Sequence, residues 1–437
     1  MAQRITTEDA LALAKAGDAD AQYALGSLLH QRGQFEESLH WLRLASAQRL
    51  VPARLALASL LMDGLRCSRD LPQALDLLEP LAASQVQARL LLAELHGFAG
   101  FGLSDRVAGL RHLAAAARMG HAGAMRQLAL LGALHGQWDL TRPLFDAAAR
   151  RGDGPAAFAL ARCHAEGIGG PPDPALAAAI CQGAAARSQY LHARLVHRIG
   201  APQAPSSVPP PAVVDWELVE RSQPQLAAEP PLPAAETLSE QPLVRRLPAV
   251  IHPLVLDAVI NLAAPLVRRS EIVDAATGEV RADPMRTSSH VTLGPRQHDH
   301  VLEALEACIG RVAGLPARNG EFLQVLRYRP GEEFRPHVDY FNEGGAGAYQ
   351  SLADGGQRAQ TVLTWLNDDY SGGSTRFPRL QLDVRAQPGD MLHFHNVGAD
   401  RLGHRDSLHA GMPVQAGEKW LLSQWLRSEA YPARVAW

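Results

Sequence analysis

Apolar residues recur at intervals of three and four through the first two hundred positions, and that recurrence is itself repeated. Segments opening on a small residue follow one another: AQYALGSLLHQRGQF from Ala21, ARLALASLLMDGL from Ala53, ARLLLAELHGFAGFG from Ala88, AMRQLALLGALHGQW from Ala124, AAFALARCHAEGIGG from Ala156 and ARLVHRIG from Ala193, at spacings of 32, 35, 36, 32 and 37. Each is followed by a second Ala/Leu-rich segment, such as EESLHWLRLASAQ or TRPLFDAAAR. Apolar positions at i, i+3, i+4 and i+7 predict helices, and small alanines at fixed places let two helices approach closely. One period is therefore one helix hairpin. A lone hairpin cannot cover its apolar face, whereas a stack buries a continuous core and leaves a concave surface. Residues 1–200 are expected to form an all-α helical-repeat solenoid.

The pattern then breaks twice. Residues 201–242 hold ten prolines, including those of VPPPA and EPPLP, with little periodicity, and read as a Pro-rich linker. Within it, DWELVER at 215–221 has the makings of a short docking helix. From 243 to 437 short alternating segments appear between turns such as RPGEE, SGGS, QPGD and QAGE. FLQVLRY (322–328), TVLTWL (361–366), QLDVRA (381–386), DMLHFHNV (390–397) and KWLLSQWLR (419–427) read as strands, with helices at 253–267 and 299–314 flanking them. Many short strands joined by such turns predict a sandwich, barrel or jelly roll.

Composition narrows the function classes. A net charge of −3 excludes a strongly basic nucleic-acid binder. Four scattered cysteines, Cys67, Cys163, Cys181 and Cys308, offer neither a disulfide framework nor a zinc ribbon. No uncharged apolar run reaches the roughly 18–20 residues of a bilayer span, and the N-terminus lacks the pattern of a secretory signal. A soluble, reduced, cytoplasmic protein is expected, with no membrane partner. Only Lys15 and Lys419 are lysines; the other basic residues are all arginine.

Candidate chemistry centres on His337 and Asp339 in FRPHVDYF, after a predicted strand. Side chains at i and i+2 of an extended segment leave the same face, so an imidazole and a carboxylate can converge on one ion. A third ligand is needed, because two histidines and one carboxylate with open opposite positions suit non-haem Fe(II) and O2. With 18 histidines in the chain, chance pairs arise. His404-Arg405-Asp406 is a second H-x-D in a Gly/Asp-containing loop and reads as a decoy. His298 and His300 read as solvated helix surface, and His393 and His395 as structural. The segment SLHAGMPVQAGEKWLLSQW places His409 seventy residues after Asp339 and Lys419 ten further on, opening an alternating strand. In a chain with two lysines, a lysine there is not background. A cation beside a metal pocket would anchor the far carboxylate of a dicarboxylic cosubstrate; taken alone, the residue reads as a surface lysine at a strand edge.

Two resemblances follow from these residues. The A-x-x-x-L-A first helices and endings such as AAAARMGHAGA and AAARRGDGPAA resemble the Sel-one-like branch of the tetratricopeptide superfamily. LQVLRYRPGEEFRPHVDYF, QRAQTVLTWLNDDYSGGSTRFP, PGDMLHFHN and SLHAGMPVQAGEKWLLSQWLR, with RRSEIVD and RTSSHVTL upstream, resemble the prolyl 4-hydroxylase branch of the Fe(II)/2-oxoglutarate dioxygenases over residues 245–430. The second resemblance implies a double-stranded β-helix, or jelly roll, with flanking helices. It implies His337, Asp339 and His409 as iron ligands and catalytic residues, and Lys419 on the 2-oxoglutarate C5 carboxylate. Tyr328 then matches a tyrosine that hydrogen-bonds the cosubstrate, Thr361 a pocket-lining threonine, and Arg286 a position near the substrate entrance. The implied cofactors are Fe(II), 2-oxoglutarate and O2, with ascorbate keeping iron reduced. Trp365 stands where that family often has Tyr, and Met412 where Cys is frequent.

Three functional readings come out of the sequence. The first is a multidomain dioxygenase that hydroxylates a protein or peptide, plausibly at proline, with the repeats recruiting the partner. The second keeps the oxygenase and gives it a small molecule. The third is a non-enzymatic adaptor or sensor built on the repeats.

Overall fold

The computed structural model describes residues 7–64, 67–102, 105–185, 193–194, 196, 211–273, 280–341, 352–398, 400 and 402–432. Its contacts divide the chain into two units, the first ending at His121 and the second beginning at Ala122.

The first unit is helical. It contains α1 (Thr7–Lys15), α2 (Ala19–Gln31), α3 (Phe35–Ala47), α4 (Val51–Asp63), α5 (Leu71–Leu78), α6 (Val86–Gly97) and α7 (Arg106–Arg118). Aspartate starts several of these helices. The Asp18, Asp70 and Asp105 side chains accept hydrogen bonds from the backbone N–H groups of Ala21, Gln73 and Ala108, satisfying otherwise orphaned donors. Leu57, Leu61, Ala74, Leu78, Leu92 and Leu95 form one buried cluster running from α4 through α5 to α6. The small residues serve as the periodicity predicts. A Cβ on Gly109 of α7 would sit 2.6 Å from the Gly97 Cα of α6, so two glycines set how closely that pair packs.

The second unit joins two further helix pairs to the sheets. It opens with α8 (Ala122–Leu134), α9 (Trp138–Arg150), α10 (Gly154–Glu166) and α11 (Pro174–Ala185). Next come α12 (Trp216–Ala227), β1 (Glu236–Glu240), β2 (Leu243–Leu247), α13 (Pro253–Ala263), β3 (Arg268–Arg269), β4 (Glu271–Val273), β5 (Val280–Ala282), β6 (Ser289–Leu293) and α14 (His300–Ala313). The remaining strands are β7 (Leu323–Tyr328), β8 (Phe334–His337), β9 (Arg358–Trp365), β10 (Tyr370–Gly372), β11 (Thr375–Phe377), β12 (Leu382–Val384), β13 (Met391–His395), β14 (His409–Gly411), β15 (Val414–Gly417) and β16 (Lys419–Arg427).

An eight-stranded antiparallel sheet runs β1-β2-β13-β9-β16-β7-β6-β3, and a four-stranded one runs β12-β11-β14-β8. Leu326, Tyr328, Trp365, Phe394 and Leu421 of the larger sheet share one buried cluster with Phe377, Val384 and Val414. Two antiparallel sheets enclosing a common core are the jelly-roll arrangement expected from the sequence. The helix α14 packs on β9 and β16 and, through α8, on the last repeats.

Two boundaries differ from the sequence reading. Contacts divide the chain at His121/Ala122, inside the run of repeats expected to extend to residue 200. Polar groups of the last repeats are committed to the sheet domain: the buried Arg162 of α10 pairs with the buried Asp257 of α13, Arg194 Nη2 lies 2.9 Å from the same carboxylate, and the Trp138 and His252 rings stand 5.0 Å apart. The expected linker 201–242 is also more structured than a spacer from residue 216 onward, while 201–210 lie outside the described residues. Asp215 caps α12, which buries Val219, Ser222, Gln223 and Leu226, and β1 pairs with β2 at the sheet edge. ETLSE has no apolar alternation because an edge strand can leave most of itself in water. Among the described residues no helix is long and apolar enough to cross a membrane.

Candidate active site

Strand register assembles the site. His337, the last residue of β8, lies opposite His409, the first of β14. Tyr328 ends β7 opposite Lys419, the first residue of β16. Asp339 follows two residues after His337, as the H-x-D spacing requires. Ligand atoms of His337, Asp339 and His409 all lie within 4.8 Å of one another. Each histidine Nε2 stands 3.6 Å from an Asp339 oxygen.

The ring orientations are fixed from behind. His337 Nδ1 lies 2.8 Å from the Arg335 carbonyl, and His409 Nδ1 lies 2.9 Å from the Ser407 carbonyl. A carbonyl only accepts, so both Nδ1 atoms carry the proton and both Nε2 lone pairs face the common centre. Aromatic rings wall the centre. Phe334 stacks on His337 with centroids 3.5 Å apart, and Phe394 meets His409 edge-on at 4.8 Å. Burial and then His409 push the His337 imidazole down to about 4, keeping it neutral at pH 7. Burial alone would raise the Asp339 carboxyl, but His409, His337 and the Thr361 hydroxyl outweigh it and hold the group below the usual carboxylate range.

A pocket is lined by all three of these residues together with Tyr328, Lys419 and Arg286. Lys419 is only 2% exposed, and its ammonium donates to the Gly373 carbonyl at 2.7 Å. Its Nζ sits 5.5 Å from the Tyr328 ring centre and 5.6 Å from that of Trp365. Among the described residues no carboxylate pairs with it, and burial pushes it down to about 7. A buried cation facing a cavity without a counter-ion is a binding site for an anion. Arg286, also forced down by burial, lies 5.3 Å from the Phe334 ring, with Nη2 3.4 Å from Gln324 Oε1.

Thr361 departs from expectation. It is absent from the pocket wall and fully buried, and its hydroxyl donates to Asp339 Oδ2 at 2.7 Å. It supports the Asp339 carboxylate. His298 and His300, expected on the surface, are 8% and 6% exposed, and His298 lies 2.9 Å from Glu303. His404 and Asp406 stay outside the cluster, and His393 bridges Arg245 and Gln360 as a structural group. Ser423, Trp425 and Gln324 also line the pocket. The period-two spacing of Ser423 and Trp425 from Lys419 along β16 was the signal that could have found them. Ser407, whose carbonyl holds His409 Nδ1, left no such signal.

The model of the 2OG-Fe(II) oxygenase superfamily matches residues 323–427, and that of the Sel1 repeat matches 19–50, 51–85, 86–121 and 154–188. Prolyl 4-hydroxylase 1 of Arabidopsis thaliana is 33% identical over 209 residues, covering 45% of this chain and 72% of its own. Prolyl 4-hydroxylase 5 of the same plant is 36% identical over 186 residues, covering 38% and 62%. The chain thus spans between 62% and 72% of these relatives' length. Among solved structures, the viral collagen prolyl hydroxylase of Paramecium Bursaria Chlorella virus-1 aligns with 42% of this chain and 95% of its own, at 22% identity and a TM-score of 0.32.

Proposed function

Since the chain belongs to the 2OG-Fe(II) oxygenase superfamily, beside the prolyl 4-hydroxylases, we propose that it is an Fe(II)- and 2-oxoglutarate-dependent dioxygenase that hydroxylates a protein or peptide at proline. The observation that carries this reading is the shared pocket: three convergent ligand groups with a buried, acid-free lysine. The donor set fits the metal, because two imidazoles and one carboxylate are what Fe(II) takes when positions must stay open. Bound there, the iron supplies the oxidation that couples decarboxylation of 2-oxoglutarate to insertion of one O2 oxygen into a C–H bond.

The rest falls to the protein. Lys419 holds the far carboxylate of 2-oxoglutarate, and Tyr328 beside it offers a phenol to the same group. That charge-assisted pairing orients the cosubstrate and replaces the water that burial removes. Phe334 and Phe394 keep the centre dry and prevent ring rotation of the two histidines. Arg286, with Gln324 and Trp425, stands on the pocket wall to meet the substrate backbone. Ascorbate maintains the reduced metal, and the repeats of the first unit recruit the protein that carries the proline. A cytoplasmic location suits the four thiols, none of which is joined in a disulfide among the described residues.

The test is succinate formation from 2-oxoglutarate with Fe(II) and ascorbate, with proline-containing peptides and small-molecule fractions supplied separately. The wild type is expected to turn over with the peptides, and His337→Ala to abolish turnover. Stimulation by small molecules alone would replace the peptide reading, and unchanged activity in His337→Ala would remove the metal assignment.

A further inference from the structure

We infer that Asn396 is a positioning residue for the iron site, acting through Thr361 on Asp339; the inference rests on the iron reading above. Asn396 follows β13 and is fully buried, as is Thr361. Its Nδ2 lies 2.8 Å from Thr361 Oγ1, which lies 2.7 Å from Asp339 Oδ2. The direction of the chain is forced. A side-chain amide nitrogen only donates, so Thr361 must accept from it, leaving the single hydroxyl proton for the carboxylate. The reverse polarity would turn the threonine proton toward Asn396 and leave Asp339 Oδ2 without that donor.

The consequence falls on a soft torsion. Rotation of an aspartate carboxylate about its last bond has a broad, roughly two-fold profile, so packing alone defines it poorly. A donor aimed at one oxygen removes that freedom before any ion arrives. Asn396 is itself held on both sides of its backbone: its N–H donates to the Ala359 carbonyl at 2.8 Å, and its carbonyl accepts from the His404 N–H at 2.8 Å. The same segment continues to Ser407, whose hydroxyl donates to the His404 carbonyl and whose carbonyl holds His409 Nδ1. Asn396 and Ser407 therefore reach two of the three proposed ligands from behind.

Asn396 also carries a cost that packing does not explain. Its Oδ1 is buried with no donor among the described residues. An apolar side chain of similar size would avoid that loss. Retaining the amide is accounted for by what its N–H does to Thr361.

The experiment is a Mn(II) titration of the full-length protein, read by the electron paramagnetic resonance of the free ion, beside the thermal midpoint of the metal-free protein. Thr361→Val, Asn396→Leu and Asn396→Asp are each expected to weaken Mn(II) binding at least about tenfold, the range seen when groups behind metal ligands are removed. Thr361→Ser, which keeps the hydroxyl, is expected to stay within about twofold of wild type. Asn396→Leu separates positioning from scaffolding: its metal-free midpoint should equal or exceed wild type while its Mn(II) affinity falls. Asn396 variants that bind Mn(II) as wild type does, or an Asn396→Leu affinity loss matched by a lowered midpoint, would overturn the inference. Should Asn396→Asp fail to fold, Asn396→Leu decides alone. Absence of Mn(II) binding by the wild type would instead strike the iron reading, and the inference with it.

Discussion

At the scale of single residues, Lys419 trades stability for binding. Its ammonium is pushed from 10.5 to about 7 by burial, so between those values the unfolded chain holds a proton that the folded chain has released. Stability of the cosubstrate-free protein is therefore expected to rise with pH across that window, and denaturant unfolding at pH 7 and pH 9 would show it. Cosubstrate affinity runs the other way. A carboxylate needs the protonated lysine, so 2-oxoglutarate binding is expected to weaken above pH 7, by up to about tenfold per unit. Lys419→Met should raise unfolding stability by roughly 1–4 kcal/mol, the range found when buried charge gives way to packed apolar groups, while succinate formation is lost. A variant both less active and less stable would contradict the assignment. His337, Asp339, His409 and Lys419 were legible in the sequence because spacing and lysine scarcity mark them. Thr361 was not, since a threonine on an alternating strand reads the same whether it faces a ligand or supports a carboxylate.

At the scale of elements, pairing does what no single segment can. β8 with β14 and β7 with β16 each bring one end residue opposite another, and the four residues so placed line one pocket. Strands with alternating apolar residues declared themselves, as did helices marked by alanine. The edge strand β1 did not, because most of it stays exposed and its partner alone defines it. In the first unit the close approach of α6 and α7 makes a sharp demand. Gly109→Ala would place a methyl group 2.6 Å from the Gly97 Cα, where backbone has to move. A loss of about 1–3 kcal/mol in thermal or denaturant unfolding is expected, against the small gain that alanine usually brings inside a helix.

At the scale of the whole molecule, the repeats were readable and their grouping was not. Periodicity treats all pairs alike, but α8 to α11 group with the sheets and α1 to α7 form a unit of their own. Packing between elements distant in sequence makes that difference, and a local pattern holds no trace of it. Asp257 is 2% exposed and relies on Arg162 and Arg194, so Arg162→Ala would leave a buried carboxylate short of a partner. Destabilisation of about 3–5 kcal/mol is expected, read by chemical denaturation. Any truncation meant to separate the repeats from the oxygenase should accordingly end near residue 121, because one ending at 200 removes both arginines.

The scarcity of lysine has a practical corollary. Lys15 lies exposed on α1 and Lys419 is enclosed beside Tyr328. Selective isotopic labelling of lysine would thus give a magnetic resonance spectrum of only two side-chain ammonium signals. One would serve as an internal reference, and the other would report cosubstrate occupancy directly, with no probe added to the protein.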